Sequence, residues 1–236
     1  MRIVIIGSCS ARKRLENTKQ LTCQELTASK IKTILQNYEG EKTLASNLYL
    51  GQQNLKLIEG ITELRQSDLF EVEYYLISAG FGLISEDVTL PSYECSFKEM
   101  NQTEIKRRAI QLKIHETFRK IIKGVDFLYL ALGKDYLTSL GQWDQLILPP
   151  TIAFQETTNG SVISLDANIQ SVKSFSKEGF SINGTVGFKG NLFLLFAKKI
   201  LTANDPLKEL KGVISSNRKL RRAFSLNELS KLKQEK

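Results

Sequence analysis

Residues 74–97 read Tyr74-Tyr-Leu-Ile-Ser-Ala-Gly-Phe-Gly-Leu-Ile-Ser-Glu-Asp-Val-Thr-Leu-Pro-Ser-Tyr-Glu-Cys-Ser-Phe97. An apolar strand, Tyr74 to Ile77, runs into Ser78-Ala79-Gly80, where side-chain bulk disappears. Apolar character resumes at Phe81 to Ile84 and gives way to a polar loop carrying Asp87, Pro91 and Tyr93. Small residues directly after a strand let a ligand or another backbone approach closely. A tight bend packed on a neighbouring element has the same pattern.

Working outward, the pattern occurs twice more. Ile3 to Ile6 is a continuous β-branched run, as a strand buried on both faces requires. It ends in Gly7-Ser8-Cys9-Ser10-Ala11-Arg12-Lys13. Phe127 to Leu132 is a third buried strand, ending in Gly133-Lys134-Asp135-Tyr136. If the three strands are parallel neighbours, their chemistry-bearing turns share one sheet edge, where open α/β sheets bind ligands. The first turn offers backbone N–H groups and hydroxyls to an anion. It is neither a P-loop nor G-x-G-x-x-G. Ser8 or Ser10 as an ordinary helix cap is the competing reading.

Helical periodicity falls between these strands. Residues 22–38 form a helix candidate with Thr22 and Glu25 as a capping box and Gly40 beyond its end. Leu55, Leu57, Ile58, Ile61 and Leu64 suggest a second helix from Gln52 to Arg65. A long basic helix is expected from Glu104 to Lys123, capped by Asn101 or Thr103 and stopped by Gly124. Residues 160–165 read as a strand, Gly179 to Gly190 as loops or a hairpin, and Asn191 to Thr202 as an apolar helix. The pattern predicts an α/β fold: a mainly parallel central sheet flanked by helices, with a C-terminal mixed extension. Residues 1–140 form the core, 141–205 a β-rich and helical extension packed on it, and 206–236 a basic helical tail.

The bulk chemistry narrows the partners. The 236 residues carry a formal net charge of +8, and from Pro206 onward nine Lys/Arg face three Asp/Glu, so +6 lies in that segment. An anionic partner is expected, nucleic acid first. A solvated face is the plainer account of such charge. No apolar run reaches a membrane span, and Met1 to Gly7 reads as a first strand and not a signal peptide, so a cytoplasmic protein without membrane contact is expected. Cys9, Cys23 and Cys95 are widely spaced and odd in number, which suggests neither a disulfide framework nor a zinc cluster. The single histidine, His115, reads as a solvated helix-surface residue. No cofactor or metal is expected.

Four segments together resemble a known grouping. Gly7-Ser-Cys-Ser-Ala-Arg-Lys13 is similar to the Cys-Ser-x-x-Lys opening turn of a set of bacterial and phage domains of unknown function. Ala45-Ser-Asn-Leu-Tyr-Leu-Gly-Gln52 resembles their A-x-x-L-Y-x-G segment, and Ile77 to Ile84 with Pro91 and Tyr93 their strand-turn and P-Y loop. Ala131-Leu-Gly-Lys-Asp-Tyr136 resembles their late turn. The strand-turn and late turn also resemble the YaaA peroxide-stress family. That resemblance implies DNA binding and protection against oxidative damage. It spans roughly residues 3–140. Phe81 stands where both groups usually carry an aromatic hydroxyl, so no role for that hydroxyl transfers.

The expected function is a nucleic-acid-associated, YaaA-like protein with DNA favoured, acting on a nucleobase through the strand-end pocket. An enzyme acting on a free nucleoside or phosphorylated small molecule is the alternative. A non-enzymatic module using its tail to dock a protein partner is a third reading. Cys9, Lys13, Asp87 and Tyr136 are the candidate catalytic residues. Cys9 would be a nucleophile activated by nearby Arg12 and Lys13, or else a small buried hydrophobe. Lys13 would clamp charge or act as a base oriented by Asp87. Ser8, Ser10, Tyr49, Gln52, Ser78, Gly80, Tyr93 and Lys134 are the candidate substrate contacts, with Tyr49 or Tyr93 stacking on a base. Lys106, Arg107, Arg108, Arg218, Lys219, Arg221 and Arg222 are the candidate phosphate contacts.

Overall fold

The computed structural model describes residues 1–14 and 20–233. The first half of the chain comprises β1 (Arg2–Ser8), β2 (Leu21–Thr22), α1 (Ala28–Asn37), β3 (Lys42–Leu44), α2 (Ala45–Leu48), α3 (Gln52–Arg65), β4 (Glu71–Ser78), β5 (Gly82–Ser85), β6 (Thr89–Pro91) and β7 (Tyr93–Glu94). Next come α4 (Gln102–Gln111), α5 (Ile114–Ile121), β8 (Phe127–Leu130) and α6 (Lys134–Ser139). The remainder holds β9 (Thr151–Ala153), β10 (Val162–Ser164), α7 (Ile169–Lys177), α8 (Gly184–Thr202), α9 (Pro206–Ile214), α10 (Asn217–Ala223) and α11 (Leu226–Leu229). The architecture is α/β. Six strands form one sheet in the order β10-β9-β8-β1-β4-β5, parallel except for β5. No described helix is long and apolar enough to cross a membrane.

Ile3 to Ile6 on β1 and Phe127 to Leu130 on β8 are almost wholly buried, as strands covered on both faces must be. Arg2 pairs with Glu71 and Ser8 with Ile77, while Ile3 pairs with Phe127 and Ile6 with Leu130. β1 is therefore central and parallel to both neighbours. The chain leaves β1 through α3 to β4 on one side and later fills β8, β9 and β10 on the other. The order reverses between β1 and β8, so the carboxyl ends of these strands border the crevice that such a reversal opens.

Ser78-Ala79-Gly80 turns a hairpin. Ser78 pairs with Gly82, and Gly82 adopts a φ of 87°, a conformation that favours glycine. Arg108 holds this bend from outside. Its guanidinium donates to the carbonyls of Ala79 at 2.8 Å, Gly80 at 3.1 Å and Leu26 at 2.6 Å. Arg108 is buried and committed to these internal acceptors, which corrects its assignment as a phosphate contact.

The expected 104–123 helix is two helices. Lys113 takes a left-handed conformation, φ 52°, and separates α4 from α5. Asn101 and Glu104 do form a capping box at the start of α4. The Thr22–Glu25 box forms as well, through bonds of 2.8 and 3.4 Å, but it closes a single turn. The helix proper begins at Ala28, after Thr27. His115 is half-buried, with Nδ1 2.7 Å from the Leu140 carbonyl oxygen, and not a freely solvated surface group.

The largest departure concerns residues 179–190. α8 starts at Gly184, so Gly187 and Gly190 lie inside a helix. At Gly190 the small size serves packing. α8 lies against α3, where a Cβ on Gly190 would overlap the Gln53 carbonyl. A Cβ on Gly60 of α3 would come within 3.0 Å of the Leu194 backbone. Helix propensity disfavours these glycines by about 1 kcal/mol each, and the close interface overrides it. Gly190→Val is expected to destabilise the protein by about 1–3 kcal/mol, because the two backbones must separate. The urea unfolding midpoint measures this. An unchanged midpoint would mean that the helices do not meet at Gly190.

α9, α10 and α11 carry the basic charge of the C-terminal segment, but their inward side chains join the core. Leu210, Val213, Leu220, Ala223, Phe224 and Leu229 are buried. Phe224 stacks on Phe196 of α8 with ring centroids 4.3 Å apart, and on Tyr129 of β8 at 5.8 Å. The last three residues of the segment lie outside the described ones.

Candidate functional site

A cavity of about 400 Å³ opens at the carboxyl ends of β1 and β8. Ser8 to Ala11 line it, with Gly133 and Tyr136 from the turn after β8. Gly51, Gln53 and Asn54 at the start of α3 add to the lining. Thr185, Val186 and Lys189 on the first two turns of α8, with Ser96 and Lys98, complete the wall. The volume falls within the range of small-molecule sites. A smaller cavity of about 220 Å³ shares Cys9, Ser10, Ala11 and Ser96, and adds Lys13, Glu94, Cys95 and Glu99.

Local sequence explains how the first turn is held. The Cys9 amide donates to the Ile77 carbonyl at 2.9 Å, continuing the β1–β4 ladder one residue past the strand. Ser10 Oγ donates to the Arg12 carbonyl at 2.8 Å and accepts from the Gly51 amide at 3.2 Å. Residues 12–14 then pair with residues 48–50: the Leu50 amide reaches the Arg12 carbonyl, and the Arg14 amide the Leu48 carbonyl. Gln53 Nε2 donates to the Ala131 carbonyl at 2.9 Å and fixes the chain as it leaves β8.

Cys9 and Tyr136 meet at the cavity. Cys9 Sγ lies 3.0 Å from Tyr136 Oη, and both side chains are buried. Burial first, and then the Cys9 sulfur, push the Tyr136 phenol well up from its ordinary value. Tyr136 therefore remains protonated and able to donate to a sulfur or a ligand oxygen. It suits positioning by hydrogen bonding better than proton transfer in either direction.

Tyr49, Ser78 and Tyr93 stand behind this wall. Tyr49 Oη and Ser78 Oγ each lie 2.7 Å from Tyr93 Oη. Ser78 Oγ accepts the amides of Gly80 at 3.1 Å and Phe81 at 3.0 Å, which leaves its own proton for Tyr93. Tyr49, Ser78 and Tyr93 have no exposed surface, so neither tyrosine is available to stack on a base, and Ser78 contacts no ligand. Burial pushes both phenols upward. A Cβ on Gly80 would come within 2.9 Å of the Tyr93 ring, so that glycine serves packing. Lys13 is buried, with its ammonium 4.7 Å from the centre of the Tyr93 ring. The stretch that organises the hairpin is thus the support of the site and not its lining.

Of the remaining candidates, Ser8 and Ser10 line the larger cavity with Cys9 and Tyr136, and Lys13 lines the smaller one. Gln52, Asp87 and Lys134 are exposed and line neither cavity. Lys106, Arg107, Arg218, Lys219, Arg221 and Arg222 are exposed. Arg222 is paired with Glu228 at 2.7 Å, and Lys219 donates to Ser215 at 3.2 Å.

Cys23 and Cys95 form a disulfide, contrary to the expectation of none. It lies beside the short parallel pairing of β2 with β7, and Cys95 lines the smaller cavity. Cys9 is the free cysteine. Among the described residues, no three His, Cys, Asp or Glu side chains gather where they would hold a metal ion.

Sequence reasoning missed Gln53, Asn54, Lys98 and Lys189. For Gln53 and Asn54 a signal existed: they precede Leu57 by four and three residues, which puts them on the buried face of α3, where Gln52 is not. Lys189 lay in a glycine-rich stretch with no legible periodicity. No family model matches the chain, and no curated protein matches it in sequence.

Proposed function

We propose that this chain is a nucleic-acid-associated, YaaA-like protein, with DNA the favoured partner, and that its strand-end cavity receives a nucleobase or nucleotide. The observation that carries this reading is the meeting of Cys9, Tyr136, Ser8 and Ser10 in one open cavity at the β1–β8 reversal. The exposed cations Lys106, Arg107, Arg218 and Arg221, on a chain of net charge +8, supply sequence-independent attraction for phosphates. A second reading, an enzyme on a free nucleoside or phosphorylated small molecule, is favoured by the burial of Arg108 on internal carbonyls and the pairing of Arg222 with Glu228, which leave fewer unpaired cations for phosphates.

Charge reversal separates them. Lys106→Glu, Arg107→Glu, Arg218→Glu and Arg221→Glu together should weaken binding of duplex or single-stranded DNA. They should also reduce the slope of log K against log salt by about 3. Binding that is absent in the parent protein at low salt, or unaffected by the four changes, would remove the nucleic-acid reading.

A further inference from the structure

We propose that the strand-end cavity contains a subsite for a phosphomonoester dianion, built by Lys189 and Lys98 with the Ser8 hydroxyl. The inference deepens the reading of this cavity as a ligand site and rests on it. Two lysines line the cavity and no carboxylate does. Lys189 reaches it from α8, its ammonium 5.3 Å from the centre of the Phe154 ring. That ammonium donates to the Leu132 carbonyl at 2.7 Å. An ammonium has three donors. Among the described residues the other two have no protein partner, and no carboxylate lies within ion-pair distance. Sequestering an unpaired cation is unfavourable, and a compensating anion is the simplest remedy.

Size and charge select the anion. The cavity accommodates a mononucleotide-sized group. An internal phosphodiester carries one negative charge, whereas a phosphomonoester approaches two at neutral pH. Two lysines lining one cavity match the latter. The group can belong to a free mononucleotide or to the phosphorylated end of a nucleic-acid strand.

The same arrangement sets a pH signature. Burial, and then the charge of Lys98, lower the Lys189 pKa to about 8. The other titratable groups facing it across the cavity are Cys9 and Tyr136, and the phenol remains neutral. A bound anion favours the ammonium, so affinity should be highest near pH 7, above the second phosphate ionisation at about pH 6, and fall as the pH rises through 8. The phosphate is already a dianion there, so the loss reports the lysine.

The test is calorimetric titration at low salt with a 5′-mononucleotide, the corresponding nucleoside, inorganic phosphate, and single-stranded oligonucleotides with and without a 5′-phosphate. The mononucleotide should bind about 10- to 100-fold more tightly than the nucleoside, as one or two charge-assisted hydrogen bonds imply. Lys189→Met should remove that advantage, and Lys189→Arg should retain most of it. Preference for the 5′-phosphorylated strand identifies a strand end as the source, and its absence a free nucleotide. Equal affinity for mononucleotide and nucleoside, no binding of either, or a flat pH profile from 6.5 to 9 in the parent protein would overturn the proposal without requiring any variant to fold. If DNA binding responds to the surface charge reversal but ignores Lys189, the nucleic-acid reading stands and the subsite falls. If the mononucleotide binds through Lys189 while no oligonucleotide binds, the subsite stands and that reading falls.

Discussion

Phe224→Ala is expected to cost about 3–5 kcal/mol of stability, the range for removing a buried aromatic side chain. Phe224 is 4% exposed and stacks on Phe196 at 4.3 Å and Tyr129 at 5.8 Å, so it joins α10 to both α8 and the sheet. Its loss leaves a cavity between three rigid elements, which cannot close without moving α8. Because α8 also carries Lys189, the damage should reach the strand-end cavity. Urea unfolding at pH 7 measures the stability change, and a loss below about 1 kcal/mol would show that α10 does not dock on this face. The same packing makes truncation at Pro206 a poor test of electrostatics. Removal of residues 206–236 should abolish cooperative unfolding and expose dye-binding apolar surface, whatever it does to charge. For that reason the charged side chains, and not the segment, are the ones to exchange.

The disulfide ranks second in expected effect. Cys23 and Cys95 are 72 residues apart in sequence, and closing a loop of that length restricts the unfolded chain by about 4 kcal/mol in the chain-entropy account. The bridge also joins the strand pair β2–β7 immediately before Ser96 and Lys98, which line the larger cavity. Cys23→Ser with Cys95→Ser should lower the midpoint of chemical unfolding, and a reductant should lower that of the parent protein to a similar value. Cys9→Ser should leave the response to reductant intact, because Cys9 is outside the bridge. A parent protein indifferent to reductant would mean that the bridge does not form. Disulfides persist mainly in oxidising surroundings, so the state of this pair is sensitive to the compartment in which the chain works.

Much of the frame was legible in the residues. The continuous apolar runs at Ile3–Ile6 and Phe127–Leu132 read as strands covered on both faces, and β1 and β8 are such strands. Leu55, Leu57, Ile58, Ile61 and Leu64 placed α3 at Gln52–Arg65, as observed, although Leu55 is exposed and only Leu57, Ile61 and Leu64 of the five are buried. Each of these signals is local: burial on one or both faces leaves a period of two, of 3.6, or an unbroken run. The small residues ending β1, β4 and β8 likewise marked the edge where the cavity opens. Their individual roles were not legible. Ser8, Cys9 and Ser10 border the cavity, whereas Ser78 and Gly80 look inward to Tyr93. A serine or glycine after a strand reads the same in both situations.

Tertiary contact decided the rest. Gly190 looks like a helix breaker until α3 lies within backbone distance of it, where any larger side chain would collide. Arg108 looks like another charge on a basic helix until the carbonyls of Leu26, Ala79 and Gly80 converge on it. Cys23 and Cys95 become partners because β2 pairs with β7 across the intervening chain. Lys189 becomes a cavity residue because α8 packs over β8 and α3, and the cost of holding an unpaired ammonium there depends on that burial alone. Patterns along the chain record which faces are buried. Which group meets which across the core depends on distances between segments far apart in sequence, and no local pattern encodes those.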